Sequence, residues 1–278
     1  MKLSVLGSGT SCGIPVIGCR CPVCCSEDPR DQRMRSSLYI EGRAGERAVI
    51  DTGPEFRLQA IRAGITRLDG VFLTHAHADH VHGLDDLRPL CREYREKSIP
   101  VYSNQYTIEE LKERFSYAFR ETQQGGGKPR ITPRVIREPV QIGALSFTPI
   151  PVKHGILDIV GWKITETRPE EGGIQEPPGE AVYLTDTSMI PDTSLDLIRS
   201  PDVLIIGALR VRPHETHFTF HEALQAALQI HSQRVYLTHI CHEHSYQEVE
   251  AYCQNFQAAQ GCTGIYMGSA YDGLELEV

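Results

Sequence analysis

The sequence predicts an α/β fold in which mixed strands and helices bring metal-ligating side chains to one edge. Three observations carry that prediction. Histidine or aspartate follows an apolar, strand-like run at four separate places, namely His75, His154, Asp186 and His239. Strand-like segments are interspersed with amphipathic helical ones. The stretch LTHAHADHVHG, residues 73–83, gathers His75, His77, Asp79, His80 and His82 directly after the apolar run Gly70-Val71-Phe72-Leu73. Side chains alternate on an extended backbone, so His75 and His77 point the same way. Two imidazoles on one face, then a carboxylate and a further imidazole, form a ligand set for a metal pair. Neutral histidine suits zinc, manganese or iron, and aspartate neutralises charge.

In chain order, Lys2–Leu6 reads as a strand running into the turn Gly7-Ser8-Gly9-Thr10-Ser11, whose spacing is not that of a P-loop. The segment Cys19-Arg20-Cys21-Pro22-Val23-Cys24-Cys25 supplies three thiolates as C-x-C-x-x-C, one ligand short of a closed tetrahedral zinc site. His242 is the candidate fourth ligand. Residues 35–40 and 47–50 read as a hairpin ending at Asp51, which is expected to orient a ligand histidine. Residues 56–63 form an amphipathic helix stopped by Gly64, and 69–73 the strand that feeds the histidine cluster. A short strand at 100–103 and a helix over 107–119 precede a Gly-rich break at 125–129. Strands over 145–152 and 159–165 flank His154, and 166–180 is an acidic, Pro- and Gly-rich loop. Strands at 181–185, 201–206 and 234–238 follow, with helices over 219–231 and 245–257. Ser245 and Glu248 form a capping box at the second of these. Ile265-Tyr266 and 274–278 read as closing strands. Arg210 and Arg212 read as solvated.

With 278 residues the chain is long enough for one domain, 1–278, with a substantial core. Residues 19–25 would form a small zinc-binding segment, and 105–137 and 166–180 would be rim insertions. The formal net charge of −8 argues against a broadly basic nucleic-acid surface. No apolar run suffices to span a bilayer and 2–6 is too short for a signal-peptide core, so a cytoplasmic location without membrane partners is expected. Nine cysteines, an odd number and unevenly spread, fit reduced thiols with one metal cluster better than a disulfide framework.

The order H-x-H-x-D-H, a later histidine, a later aspartate after a strand and a final Leu-Thr-His resembles the metallo-β-lactamase-fold hydrolases. That resemblance implies an αββα sandwich of two mixed sheets flanked by helices. It also implies two divalent active-site metals, zinc or manganese with iron as a further option. His75, His77 and His154 would hold one, Asp79, His80 and His239 the other, and Asp186 would bridge them. The opening GSGTSCGIPVIGCRC, the following Cys24 and the ending Leu-Thr-His-Ile-Cys-His are similar to the PhnP-like branch, which includes a phosphoribosyl cyclic phosphate phosphodiesterase. In that branch the matching residues, Cys19, Cys21, Cys24 and His242, hold a structural zinc, and a homodimer is usual. Thr216-His217-Phe218-Thr219 resembles the region where this branch and ribonuclease Z keep a catalytic histidine.

The expected activity is hydrolysis of a small phosphodiester, cyclic phosphates leading, by a hydroxide shared between the two metals. Asp79 would ligate and orient that hydroxide, and His217 would protonate the leaving alkoxide or hydrogen-bond the phosphoryl group. A ribonuclease Z-like RNA-processing endonuclease is the alternative, as is a metallohydrolase of another substrate class, such as a thioester or lactam hydrolase.

Overall fold

The computed structural model describes residues 1–93, 98–121, 127–168 and 176–278. Its strands in chain order are β1 (Lys2–Gly7), β2 (Ser37–Glu41), β3 (Arg47–Ile50), β4 (Gly70–Phe72), β5 (Ile99–Ser103), β6 (Ile131–Val135), β7 (Val140–Ile142), β8 (Leu145–His154), β9 (Leu157–Glu166), β10 (Gly179–Leu184), β11 (Val203–Gly207), β12 (Arg234–Thr238), β13 (Tyr266–Ser269) and β14 (Glu275–Glu277). The helices are α1 (Phe56–Arg62), α2 (Ala78–Val81), α3 (Leu90–Glu93), α4 (Gln105–Arg114), α5 (Ser116–Phe119), α6 (Asp192–Leu195), α7 (Phe220–Ile230) and α8 (Tyr246–Gln260).

Strand periodicity explains why two layers of sheet form. In β11 all five residues are buried, but Val203 and Ile205 face one apolar cluster while Leu204 and Ile206 face another. A strand that is apolar on both faces must be covered on both. Seven strands make one sheet, in the order β14-β1-β2-β3-β4-β5-β6, and seven make the other, in the order β13-β12-β11-β10-β9-β8-β7. The inner core between them sets Leu3, Val5, Ile40 and Phe72 against Phe147, Trp162 and Ile205. Phe72 stacks on Phe147 with ring centroids 3.9 Å apart and meets Trp162 edge-on at 5.0 Å. The outer face of the second sheet is closed by α7 and α8 through Phe220, Leu224, Val249 and Phe256. That of the first is closed by Phe56, Leu84, Ile108 and Leu111. The result is the expected αββα sandwich.

β3 to β6 run parallel, as do β10 to β13. Parallel neighbours end at the same edge, so their C-terminal ends share a rim, the usual ligand-binding edge of such sheets. Asp51 follows β3, His75 follows β4, Asp186 follows β10 and His239 follows β12. Asp51, Asp186 and His239 also have positive φ, at 62°, 53° and 58°. Non-glycine residues adopt that conformation at a cost of about 1 kcal/mol or more, and it turns the chain sharply at the strand end.

Several elements differ from the sequence reading. Ile131–Val135 is the edge strand of the first sheet rather than part of an insertion, although the reading placed it in the 105–137 rim. The helix expected over 107–119 begins at Gln105, where Asn104 caps it by accepting from the Thr107 N–H, and is broken at Phe115. β9 and β10 extend into the 166–180 loop from both sides. The Gly-rich break falls partly, and the acidic loop's centre wholly, outside the described residues. Among the described residues no helix is long and apolar enough to cross a membrane.

Candidate metal centre

The rim assembles the site one strand end at a time. Past β4 the chain bends at Thr74 and runs through His75 to His77, the extended residue before α2, so Asp79 and His80 lie in that helix's first turn. His75 and His77 rings sit 4.5 Å apart and both approach His154, at 5.4 and 5.1 Å between centroids. The ligand-capable atoms of His75, His77 and His154 all lie within 4.8 Å of one another, and so do those of Asp79, His80, Asp186 and His239. His217 joins a third such group with His154 and Asp186. Every active-site residue singled out in the sequence therefore reaches one place. His82 does not: it is exposed and meets Phe115 edge-on.

Hydrogen bonds fix which nitrogens are free. His80 Nδ1 lies 2.7 Å from Asp51 Oδ2, and a carboxylate only accepts, so Nδ1 carries the proton. Thr74 donates through both its N–H and its hydroxyl to Asp51, each at 2.8 Å. With its hydrogen spent there, the Thr74 hydroxyl accepts from His75 Nδ1 at 3.0 Å. His154 Nδ1 donates to the Thr216 carbonyl at 2.7 Å. Three imidazoles thus turn Nε2 inward, and the Nε2 atoms of His75 and His80 are buried with no hydrogen-bond partner. The Asp79 and Asp186 carboxylates stand 3.1 and 3.2 Å from His80 Nε2 without the alignment of a hydrogen bond. Buried nitrogens without hydrogen-bond partners beside buried carboxylates are costly alone and are the donor set that suits divalent cations.

Charge agrees with that fit. Burial, with His80 nearby, pushes His75 well below its ordinary pKa, and burial lowers His77 and His239 too. Burial opposes ionisation of Asp186, yet His239 and His80 hold its carboxyl well below the usual range. Burial would also lower His80, but Asp186, Asp79 and Asp51 push it well above. The same negative charge would favour a divalent cation in place of the proton on Nε2.

The family now follows from the chain as well as the geometry. Residues 46–240 match the family described as the beta-lactamase superfamily domain. The chain belongs to the metallo-β-lactamase superfamily. All eight of the convergent His and Asp residues, from His75 to His239 and including His217, fall inside that span. A solved structure described as a new diphosphatase from the PhnP family superposes with a TM-score of 0.82 at 38% identity, covering 100% of this chain and 97% of that one. An octanoyltransferase from Porphyromonas gingivalis is 36% identical over 99% of this chain. The chain spans about half of that relative's length, 51%. A ribonuclease Z from Bradyrhizobium diazoefficiens is 44% identical over 61 residues, 21% of this chain and 20% of the relative.

The superfamily span stops short of a second cluster. Sγ of Cys19, Cys21 and Cys24 lie 3.4, 3.5 and 3.6 Å from His242 Nδ1. A tetrahedral zinc with Zn–S near 2.3 Å and Zn–N near 2.05 Å implies S···N edges of about 3.6 Å. The Cys24 N–H donates to Cys21 Sγ, and that bond, with help from His242, lowers the Cys21 thiol to about 6. Cys12 and Cys25 are exposed and stand outside the cluster.

Asp51 holds His80 as the sequence led us to expect, but sequence reasoning missed the other parts that orient these ligands. Thr185 Oγ1 donates to Asp186 Oδ2 at 2.7 Å. Ser36 Oγ, whose hydrogen goes to the Gly9 carbonyl, lies 3.2 Å from His239 Nδ1. Arg210 and Arg212 are not simply solvated: both donate to Glu243, at 3.0 and 2.6 Å, bracing the loop that carries His217. Thr74 could have been suspected from its place beside His75, whereas a backbone carbonyl such as that of Thr216 has no sequence signature. Because Asp51 sets the His80 tautomer, Asp51→Asn is expected to weaken metal affinity about 10–100-fold. Competition titration with a chelator measures this, and wild-type affinity would refute the orienting role.

Proposed function

We propose that this chain is a dinuclear-metal phosphodiesterase acting on small phosphodiesters, with cyclic phosphates the leading class. The observation that carries the reading is Asp186, whose carboxylate lies 3.2 Å from His80 and His239 of one ligand cluster and within 4.8 Å of His154 of the other. His75, His77 and His154 would hold one divalent cation, Asp79, His80 and His239 the other, and Asp186 would bridge them. A cation pair supplies an acidified water and neutralises phosphoryl charge. Cys19, Cys21, Cys24 and His242 would hold a structural zinc.

The chain's own part is to hold that set dry and to meet the substrate. Asp79, buried and ionised, would hold the attacking water's orientation. His217 borders the cluster, with Nδ1 3.8 Å from Asp186 Oδ1 and its ring 4.7 Å from that of His154. Burial, reinforced by His239, pushes its pKa down to about 3. A ring neutral at pH 7 offers a hydrogen bond rather than an acidic proton, which favours contact with a phosphoryl oxygen over protonation of the leaving group. His217→Ala is therefore expected to lower kcat about a hundredfold. His217→Gln, which retains an N–H, is expected to recover roughly tenfold of that loss. Equal loss in both variants, with wild-type activity falling as pH rises through about 6.5, would restore the general-acid role.

Similarity to a PhnP-family diphosphatase supports phosphorus chemistry at this site, and the acidic balance fits a small substrate. The local likeness to a ribonuclease Z favours a second reading, an RNA-processing endonuclease. The name octanoyltransferase belongs to a protein of which this chain matches only half. Turnover of bis-p-nitrophenyl phosphate, cyclic ribose phosphates, cyclic nucleotides, nucleoside diphosphates and precursor tRNA, with metal analysis, separates these readings. Cleavage of precursor tRNA alone would replace the first with the second, and no cleavage by the metal-loaded protein would remove both.

A further inference from the structure

The loop between β11 and α7 leaves the second sheet and returns to it at one point. The Leu209 N–H donates to the Phe218 carbonyl at 2.9 Å, and the Phe220 N–H to the Arg210 carbonyl at 3.0 Å. Such a neck makes a compact surface loop, and loops held by a rigid scaffold are where binding groups concentrate. The neck is also tied to two ligand-bearing strand ends. The Phe218 N–H donates to the Thr187 carbonyl at 2.7 Å, next to Asp186, and the Cys241 N–H to the Leu209 carbonyl at 3.0 Å, two residues past His239.

Besides His217 the loop carries His214, which is exposed and stands outside the metal-ligand groups. Thr216 joins the two environments. Its carbonyl accepts from His154 Nδ1 at 2.7 Å, while its N–H donates to His214 Nδ1 at 3.3 Å, with its hydroxyl 3.2 Å from the same nitrogen. Gly155 packs closely on this residue: a Cβ there would lie 2.8 Å from Thr216 Cγ2. One threonine therefore orients a candidate metal ligand and an exposed imidazole together. Because Nδ1 accepts from the backbone, the His214 ring proton sits on Nε2, across the ring from Thr216. The ring of His217 lies 4.7 Å from that of His154 and 5.1 Å from that of His214. Three imidazoles thus succeed one another from the metal ligands out to the surface.

We propose that His214 is a substrate-contacting residue that sets specificity. Its Nε2–H would donate to an uncharged oxygen, a hydroxyl or an ether, on the part of the substrate beyond the scissile phosphoryl group. The inference rests on the phosphodiesterase reading, in which His217 meets a phosphoryl oxygen, and the next donor outward then meets what that group carries. A second phosphate is disfavoured there by charge. Arg210 and Arg212 both donate to Glu243, and Glu215 is exposed beside His214. Two positive and two negative side chains leave the loop with a directed donor and no net charge to draw another anion.

Calorimetry on the full, metal-loaded chain with ribose 5-phosphate, ethyl phosphate and inorganic diphosphate tests this. Wild type is expected to bind ribose 5-phosphate about tenfold more tightly than ethyl phosphate, the worth of one good hydrogen bond. His214→Asn keeps an acceptor for the Thr216 N–H but lacks the reach of Nε2. It is expected to abolish that preference by weakening ribose 5-phosphate alone. His214→Gln, whose amide N–H reaches the Nε2 position, is expected to restore most of it. In turnover of cyclic ribose phosphates, His214→Asn should raise KM about tenfold and act little on kcat. Ethylene cyclic phosphate, which has the phosphate ring and no hydroxyl, should not show that rise. Unaltered affinity for ribose 5-phosphate in His214→Asn would overturn the proposal. Equal weakening of ribose 5-phosphate and ethyl phosphate would overturn it too, by making His214 a brace for the loop. Weakening confined to diphosphate would overturn the choice of an uncharged oxygen. If no diester is cleaved, the phosphodiesterase reading falls, and the binding comparison still decides the His214 contact by itself.

Discussion

Asp186→Asn is expected to cost at least one equivalent of active-site metal and to slow phosphodiester hydrolysis by about a thousandfold, some 4 kcal/mol of transition-state stabilisation. The substitution keeps the shape of the side chain and removes its charge. Asp186 is 2% exposed, and its Oδ2 lies 3.2 Å from both His80 Nε2 and His239 Nδ1. Its Oδ1 faces His217. Its carboxylate also groups with His154 of the other cluster, within 4.8 Å, whereas among the described residues Asp79 groups only with His80, Asp186 and His239, and Asp51 lies behind His80. An amide there would present an uncharged oxygen to one cluster and an N–H to the other, and an N–H repels a cation. Metal analysis after gel filtration and initial rates on bis-p-nitrophenyl phosphate measure the two effects together. Full metal content with an unaltered rate would sink the shared-carboxylate reading. Loss of metal with rate restored by excess manganese would show that the charge serves affinity alone.

How much of this was readable in the sequence depends on what each feature requires of the chain. The ligands were legible because the fold puts them at strand ends, where a buried β-branched run stops and a His or Asp follows. Asp51 was legible for the same reason, although the hydrogen bonds from Thr74 that hold it were not. Edge strands were the hardest elements to find. β6 reads Ile-Thr-Pro-Arg-Val, and Pro133 argues against a strand because it lacks a ladder donor. The structure places β6 at the sheet's outer edge, where one side of the strand needs no donor. β7, three residues long, closes the other sheet in the same way. The helix break at Phe115 was hidden because its cause is tertiary: Phe115 is buried in the outer core and meets His82. Arg114, one residue earlier, donates to the Ala76 carbonyl between the two histidines. The 105–119 segment therefore braces the histidine loop from outside, which composition alone does not disclose.

Cys21→Ser is expected to act on the fold before it acts on chemistry. The thiolate cluster joins the loop after β1 to the loop after β12, two segments over two hundred residues apart in sequence. His242 comes three residues after His239, so whatever pins His242 also sets where the last active-site ligand stands. Arg33, 1% exposed, fastens the same loop by donating to the carbonyls of Cys241 and His244, each at 3.0 Å. Removing one of three thiolates leaves an open site that binds zinc far more weakly. A loss of about 4 kcal/mol of coupled folding energy would lower Tm by roughly 10 °C. One equivalent of zinc should leave with it, while kcat at 20 °C, well below the melt, should fall much less than it does in Asp186→Asn. A chelator that strips only this site should reproduce the lowered Tm in the wild type and leave the variant unmoved. If Cys21→Ser melts with the wild type and keeps its zinc, the four side chains are no more than neighbouring thiols and an imidazole. If instead the Tm holds while kcat collapses, the cluster belongs to the reaction and not to the scaffold.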